Sequence, residues 1–151
     1  MLCLVPTPIG NLEDISIRSL RILEEAELIF CEDTRVTKKL LNLLGEKNNL
    51  AFSNKEYKSF HSHNENHILQ SLTKETFTKN VVYVSDAGMP CVSDPGATLV
   101  DYCIKNDIAY DVQPNFFHFH ILYIYIHLFL IYAFSFHATF HQTEVLYMNR
   151  D

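Results

Sequence analysis

Cys3, Cys31, Cys91 and Cys103 form no CxxC pair in this 151-residue chain, and each falls on or beside an apolar run. Thiols so placed act as small buried hydrophobes, and the pattern fits a reducing, cytoplasmic setting. An excess of positive charge is lacking too. The formal net charge of −6 argues against a chain that coats nucleic acid electrostatically, and leaves phosphate contact to a local basic patch. No basic segment opens the chain and only a few apolar residues precede Pro6, which argues against a signal peptide and for a first strand. The length accommodates one domain with a real core, not the two-domain layout of many cofactor-dependent transferases. One further absence is local: from Asn115 to Thr143 there is no Asp, Glu, Lys or Arg, and beyond Pro114 there is no glycine.

What is present before Pro114 alternates between two periods. Leu2–Val5 is short, wholly apolar and ended by proline, which predicts a buried parallel strand. A helix capped by Asp14 should follow, with Ile17, Leu20 and Leu23 at helical spacing. Leu28–Cys31 predicts the second strand. Thr34 is expected to cap a second helix, with Val36, Leu40, Leu43 and Leu44 as its inner stripe and Gly45 as its stop. Residues 46–58 are polar with weak periodicity and read as a loop around a poor third strand. Asn64 can cap a helix through Ile68, Leu69 and Leu72, and Val81–Val84, β-branched and aromatic throughout, is the clearest strand. Asp94 and Pro95 mark a helix start, with proline at the first helical position and Leu99, Val100 and Cys103 along the helix. Ile108–Val112 returns as a last strand. The alternation predicts an α/β fold, a mostly parallel sheet flanked by helices.

In such sheets ligands collect outside the carboxyl ends of the strands, so the loops there carry the chemistry. The first, Pro6–Asp14, holds Gly10, which lets backbone approach a ligand or simply makes a tight turn. The second holds Glu32, Asp33 and Arg35, with Lys38 and Lys39 beyond; its carboxylates can bind a polar group or satisfy a helix dipole, and spacing alone favours the dipole. His61, His63 and His67 suggest a metal site at first sight, but no further ligand set accompanies them and a substrate-facing polar loop is preferred, with no metal. The fourth loop, Ser85–Gly96, places an acid, two prolines and two glycines between a buried strand and a helix start. That density of constrained residues suits a rigid loop pressed against a flat ligand.

The strings VPTPIGNLEDIS from Val5, CEDTRVTKKLL from Cys31, HSHNEN from His61 and VSDAGMPCVSDPG from Val84 together resemble the ribosomal RNA small subunit methyltransferase I family, within the tetrapyrrole-methylase-like superfamily. Four ordered matches make the resemblance specific over the first three quarters of the chain. It implies transfer of a methyl group from S-adenosyl-L-methionine to the ribose 2′-hydroxyl of a cytidine in 16S RNA of the small ribosomal subunit. By the same likeness, Pro8, Ile9, Gly10, Asp86, Ala87, Gly88 and Pro90 would line the cofactor. Glu32, Asp33, Arg35, His63, Asn64 and Glu65 would face substrate, with Glu32 or His63 as the base, and intact relatives would act as homodimers.

The resemblance implies a first lobe over residues 1–114, followed in the family by an LPGPSA turn and a second lobe; here Gln113-Pro114 gives way to Asn115-Phe116-Phe117-His118. Residues 115–151 hold 11 of the 19 aromatics and read as an aberrant aromatic and histidine-rich tail, as a frameshift in an AT-rich gene would produce. A membrane anchor over residues 116–136 is the rival expectation, set against three internal histidines and the absence of flanking Lys or Arg. A third is a truncated, non-catalytic fragment that at most binds the cofactor. Catalysis by the chain alone is expected to be poor.

Overall fold

In the computed structural model the chain divides into units Met1–Asn115 and Phe116–Asp151. The structure describes residues 1–92 and 94–114, with 126 and 129; the tail and anchor readings lie outside these residues. Five strands, β1 (Leu2–Leu4), β2 (Leu28–Cys31), β3 (Glu56–Ser59), β4 (Val81–Val84) and β5 (Tyr110–Val112), form one sheet in the order β3-β2-β4-β1-β5. Every pairing is parallel. The helices are α1 (Ile17–Glu25), α2 (Thr34–Asn48), α3 (Glu65–Ser71) and α4 (Gly96–Lys105).

The three inner strands are buried at every position, which explains their unbroken apolar runs: alternate side chains enter two different cores. Leu2, Leu4, Phe30, Val81 and Tyr83 meet Leu99 and Cys103 of α4, with Ile68 and Leu69 of α3 alongside. Cys3, Val5, Ile29, Cys31, Val82 and Val84 meet Leu20 and Leu23 of α1 and Leu41 and Leu44 of α2. Helices therefore cover both faces. The chain moves toward β3 after β1 and β2, and back through β4 to β5, so the direction reverses between the neighbouring strands β2 and β4. At such a reversal the loops part to opposite faces and leave a crevice at the strand ends.

Several local expectations are corrected. Ser16, not Asp14, caps α1: its Oγ accepts from Ser19 N at 3.0 Å, while Asp14 ends a short 3-10 turn, Leu12–Asp14. Ile17 is exposed on the outer side of α1. Asp33 caps α2 in place of Thr34, which is the first helical residue. The inner side of α2 is Thr37, Leu41, Leu44 and Gly45, and Val36 and Leu43 face outward. Gly45 does not stop that helix. It lies buried within the last turn, where an added Cβ would meet the Leu50 carbonyl oxygen at 2.7 Å, and the stop is Asn49 in the left-handed conformation. Residues 46–48 belong to α2, and the third strand is a regular edge strand in register with β2. Pro95 is the cap of α4 rather than its first helical residue. Asn64 does cap α3, its carbonyl accepting from Ile68 N at 3.0 Å, although its side chain makes no capping bond.

Candidate active site at the carboxyl edge of the sheet

The loop after β1 and the loop after β4 are stitched together. Thr7 N donates to the Gly88 carbonyl at 2.9 Å and Gly88 N donates back to Thr7 O at 3.2 Å. Thr7 Oγ1 donates to Ser85 O at 3.2 Å and Ser85 Oγ to Gly88 O at 3.3 Å, so both buried hydroxyls are satisfied inside this crossing. Gly10 has φ +110° and Gly88 φ +88°, a region disfavoured for any residue with a Cβ. A Cβ at Gly88 would stand 3.3 Å from Ile9 Cγ2, whereas one at Gly10 would meet nothing within 4 Å. The first glycine allows two loops to touch; the second borders open space.

The loop after β2 joins the same edge through carboxylates. Asp86 N donates to Glu32 Oε1 at 3.2 Å and Asp33 N donates to Asp86 Oδ1 at 3.1 Å, so each loop's acid accepts a backbone N–H of the other. Asp33 in turn caps α2 and forms a two-pronged pair with Arg35, with Nη2 to Oδ2 at 2.7 Å and Nε to Oδ1 at 3.1 Å. The Arg35 side chain first, and its backbone N–H next, hold the Asp33 carboxyl at about 2. From β3 the connection continues: Ser59 Oγ donates to Glu32 O at 2.8 Å, Asn64 Nδ2 donates to Ser59 O at 2.9 Å, and His61 N donates to Asn64 Oδ1 at 2.9 Å. His63 is exposed and sits edge-on to His61, their rings 5.9 Å apart. Glu65 is turned to α4, where Oε2 accepts from Thr98 Oγ1 at 3.0 Å.

The rest of the β4 loop is held by Asp94, whose carboxylate accepts from Cys91 N at 2.9 Å and Gly96 N at 2.8 Å. Beneath it the Tyr83 hydroxyl is buried with no hydrogen-bond partner among the described residues, and burial foremost, with Asp94 next, pushes its ionisation upward. Ile9, Ala87 and Val92 are exposed along the edge, and Pro90 is buried. Thr7, Ser85 and Ser59, which tie the loops, were not singled out by sequence; their one signal was a small hydroxyl residue at or just beyond the end of a strand. No group of three or more potential metal ligands occurs among the described residues. A cavity of about 230 Å³ lies elsewhere, lined by Met1, Asn80 and Val81 at the strand starts and by Arg18, Glu25 and Asp111.

Residues 1–116 match the tetrapyrrole (corrin/porphyrin) methylase family model. The chain belongs to the tetrapyrrole methylase family. Relatives within it include the ribosomal RNA small subunit methyltransferase I of Campylobacter fetus subsp. fetus, 53% identical over 113 residues, covering 74% of this chain and 42% of the relative. The enzyme of the same name from Helicobacter pylori is 46% identical over 121 residues, covering 76% and 42%. The chain thus spans about two fifths of the length of these curated relatives. Among solved structures, uroporphyrin III C-methyl transferase of Thermus thermophilus superposes with TM-score 0.54 at 18% identity, over 76% of this chain and 48% of the other. Another structure of that Thermus protein, complexed with S-adenyl homocysteine, gives 0.53 at 19% identity over 76% and 47%. At that identity the likeness establishes the family's fold. Among the described residues no helix is long and apolar enough to cross a membrane.

Proposed function

We propose that the described lobe is the cofactor-holding part of an S-adenosyl-L-methionine-dependent methyltransferase that modifies a cytidine ribose 2′-hydroxyl in 16S RNA of the small ribosomal subunit. The observation that carries this reading is the crossing of the β1 and β4 loops at Thr7 and Gly88, beside the reciprocal Glu32 and Asp86 contacts. The residues fit such a ligand. Gly10 leaves its backbone open to close approach, and Pro8, Ile9 and Ala87 offer apolar surface, with Pro90 buried behind them. Asp86 commits Oδ1 to the Asp33 N–H, and its Oδ2 has no partner among the described residues to compete with a ligand hydroxyl or amine. The same reading includes a cytoplasmic location and homodimers in full-length relatives.

When bound, the cofactor supplies a methyl group already activated on a sulfonium. The chain's own task is then to align the ribose oxygen and remove its proton. Two residues are the candidates for taking the proton. Glu32 keeps Oε1 on the Asp86 N–H, which fixes its carboxylate at the crevice, and exposed His63 stands on the neighbouring β3 loop. The test is calorimetric titration of the chain with S-adenosyl-L-methionine, joined to methyl transfer by a full-length relative carrying the matching Glu32→Gln or His63→Ala change. Removing the base should slow transfer by about 10²- to 10⁴-fold with cofactor affinity retained. A substitution that leaves the rate unchanged eliminates that residue as the base. Absence of cofactor binding by an intact, folded relative would reject the reading.

A further inference from the structure

The first two turns of α2 are charged against the helix dipole. Their charged side chains are Arg35, Lys38 and Lys39, and no acid occupies the first turn. Helix starts attract carboxylates, because the free N–H groups there carry partial positive charge, so three cations at this place oppose local stability. Their spacing of i, i+3 and i+4 collects them on one side of the helix. All three are exposed, and Lys38 and Lys39 form no ion pair among the described residues. Lys38 stands 5.0 Å above the Tyr57 ring of edge strand β3, which holds its ammonium on the flank of the helix facing that edge. Arg35, at the end of the row, is anchored on Asp33, whose N–H reaches Asp86 in the candidate site. A chain with net charge −6 thus carries a short cationic row that starts at its candidate active site.

We propose that this row, Arg35, Lys38 and Lys39 with Tyr57 beneath, is a contact surface for the phosphate backbone of the RNA substrate, leading from the reacting nucleotide outward over α2 and β3. The proposal rests on the functional reading above and adds which surface the RNA follows. Charge complementarity is the warrant: unpaired ammonium groups gain from releasing condensed counterions when they meet phosphates, a gain that offsets the unfavourable dipole. The Lys38–Tyr57 pairing further limits the conformations that Lys38 loses on contact. Asp33 offsets the charge of Arg35 and leaves Lys38 and Lys39 without an ion pair among the described residues, and Glu56 of β3 pairs with Lys58 and Lys79.

The test uses the 151-residue chain, a fluorescein-labelled RNA hairpin and a salt series, comparing wild type with Lys38→Gln/Lys39→Gln and a control, Lys74→Gln/Lys105→Gln. Two lost phosphate contacts should reduce the slope of log affinity against log salt by roughly 1.4–1.8 and leave the control unchanged. Circular dichroism and S-adenosyl-L-methionine titration, both expected to match wild type, report on folding and on the cofactor site. Equal affinity and slope in wild type and the Lys38/Lys39 variant would overturn the proposal, as would no RNA binding by wild type at low salt. So would wild type and that variant binding RNA alike while only its attachment to phosphatidylserine vesicles is lost. RNA binding that depends on the two lysines, in a chain without cofactor affinity, would uphold the cationic surface and count against the methyltransferase reading instead.

Discussion

Gly88 shows how one residue couples backbone geometry to the site. Its φ of +88° places its carbonyl and N–H against Thr7, and a Cβ there would press on Ile9 at 3.3 Å. Gly88→Ala should therefore cost about 1–3 kcal/mol of stability, because a strained dihedral and a tight contact occur together. Gly10→Ala carries the dihedral strain alone, since its Cβ would meet nothing within 4 Å. Chemical denaturation should rank Gly88→Ala as the more destabilised of the two. Equal midpoints would mean that the Ile9 contact relaxes without cost and that the loop crossing is less rigid than its bonds suggest.

At the scale of elements, the caps separate what the sequence disclosed from what it withheld. Ser16 accepts the Ser19 N–H at the start of α1, so Ser16→Ala should cost about 1 kcal/mol in urea melts, and Asp14→Ala, outside the helix, about half of that or less. The reverse order would restore Asp14 as the cap. Both residues are polar and stand two apart, so sequence offered no means of choosing between them. The inner side of α2 was hidden for a different reason. The stripe Val36, Leu40, Leu43 and Leu44 and the set Thr37, Leu41 and Leu44 are both helically spaced, and packing against the sheet buries the second, keeps Leu40 partly buried and turns Val36 and Leu43 outward. The inner strands were legible because burial on both faces demands continuous apolar runs, as in Leu28–Cys31 and Val81–Val84. The loops of the site were legible as clusters of constrained and charged residues. Their mutual bonds, Asp86 to Asp33 and Glu32 to Asp86, depend on β4 lying beside β2, an order that no periodicity encodes.

Across the whole molecule, buried ionisable groups set one pH limit and the open edge sets the reach of catalysis. All four thiols are pushed up chiefly by burial, Cys91 and Cys103 to about 11, and Tyr83 is raised by burial as well. These acids are neutral in both states below the ordinary thiol value near 9, so their contribution is fully present there. Above it the unfolded chain loses protons that the folded chain retains, and stability is lost progressively as pH rises toward 11. Urea midpoints should hold from pH 7 to 8.5 and fall between 9 and 10.5, and a flat profile would mean that these groups are solvated in the folded state. Catalysis meets a different constraint. Ile9 is 48% and Val92 66% exposed, and Ala87 is exposed as well, so a ligand cradled between them would retain a solvent-facing side. Methyl transfer requires a nucleophile aligned in a site from which water is largely excluded, and this edge supplies orientation without enclosure. The 151-residue chain, incubated with radiolabelled S-adenosyl-L-methionine and unmodified small subunits, should thus transfer methyl groups at or near background while remaining folded. Turnover matching a full-length relative would show that the described edge is closed during the reaction by something the exposure of Ile9 and Val92 does not reveal.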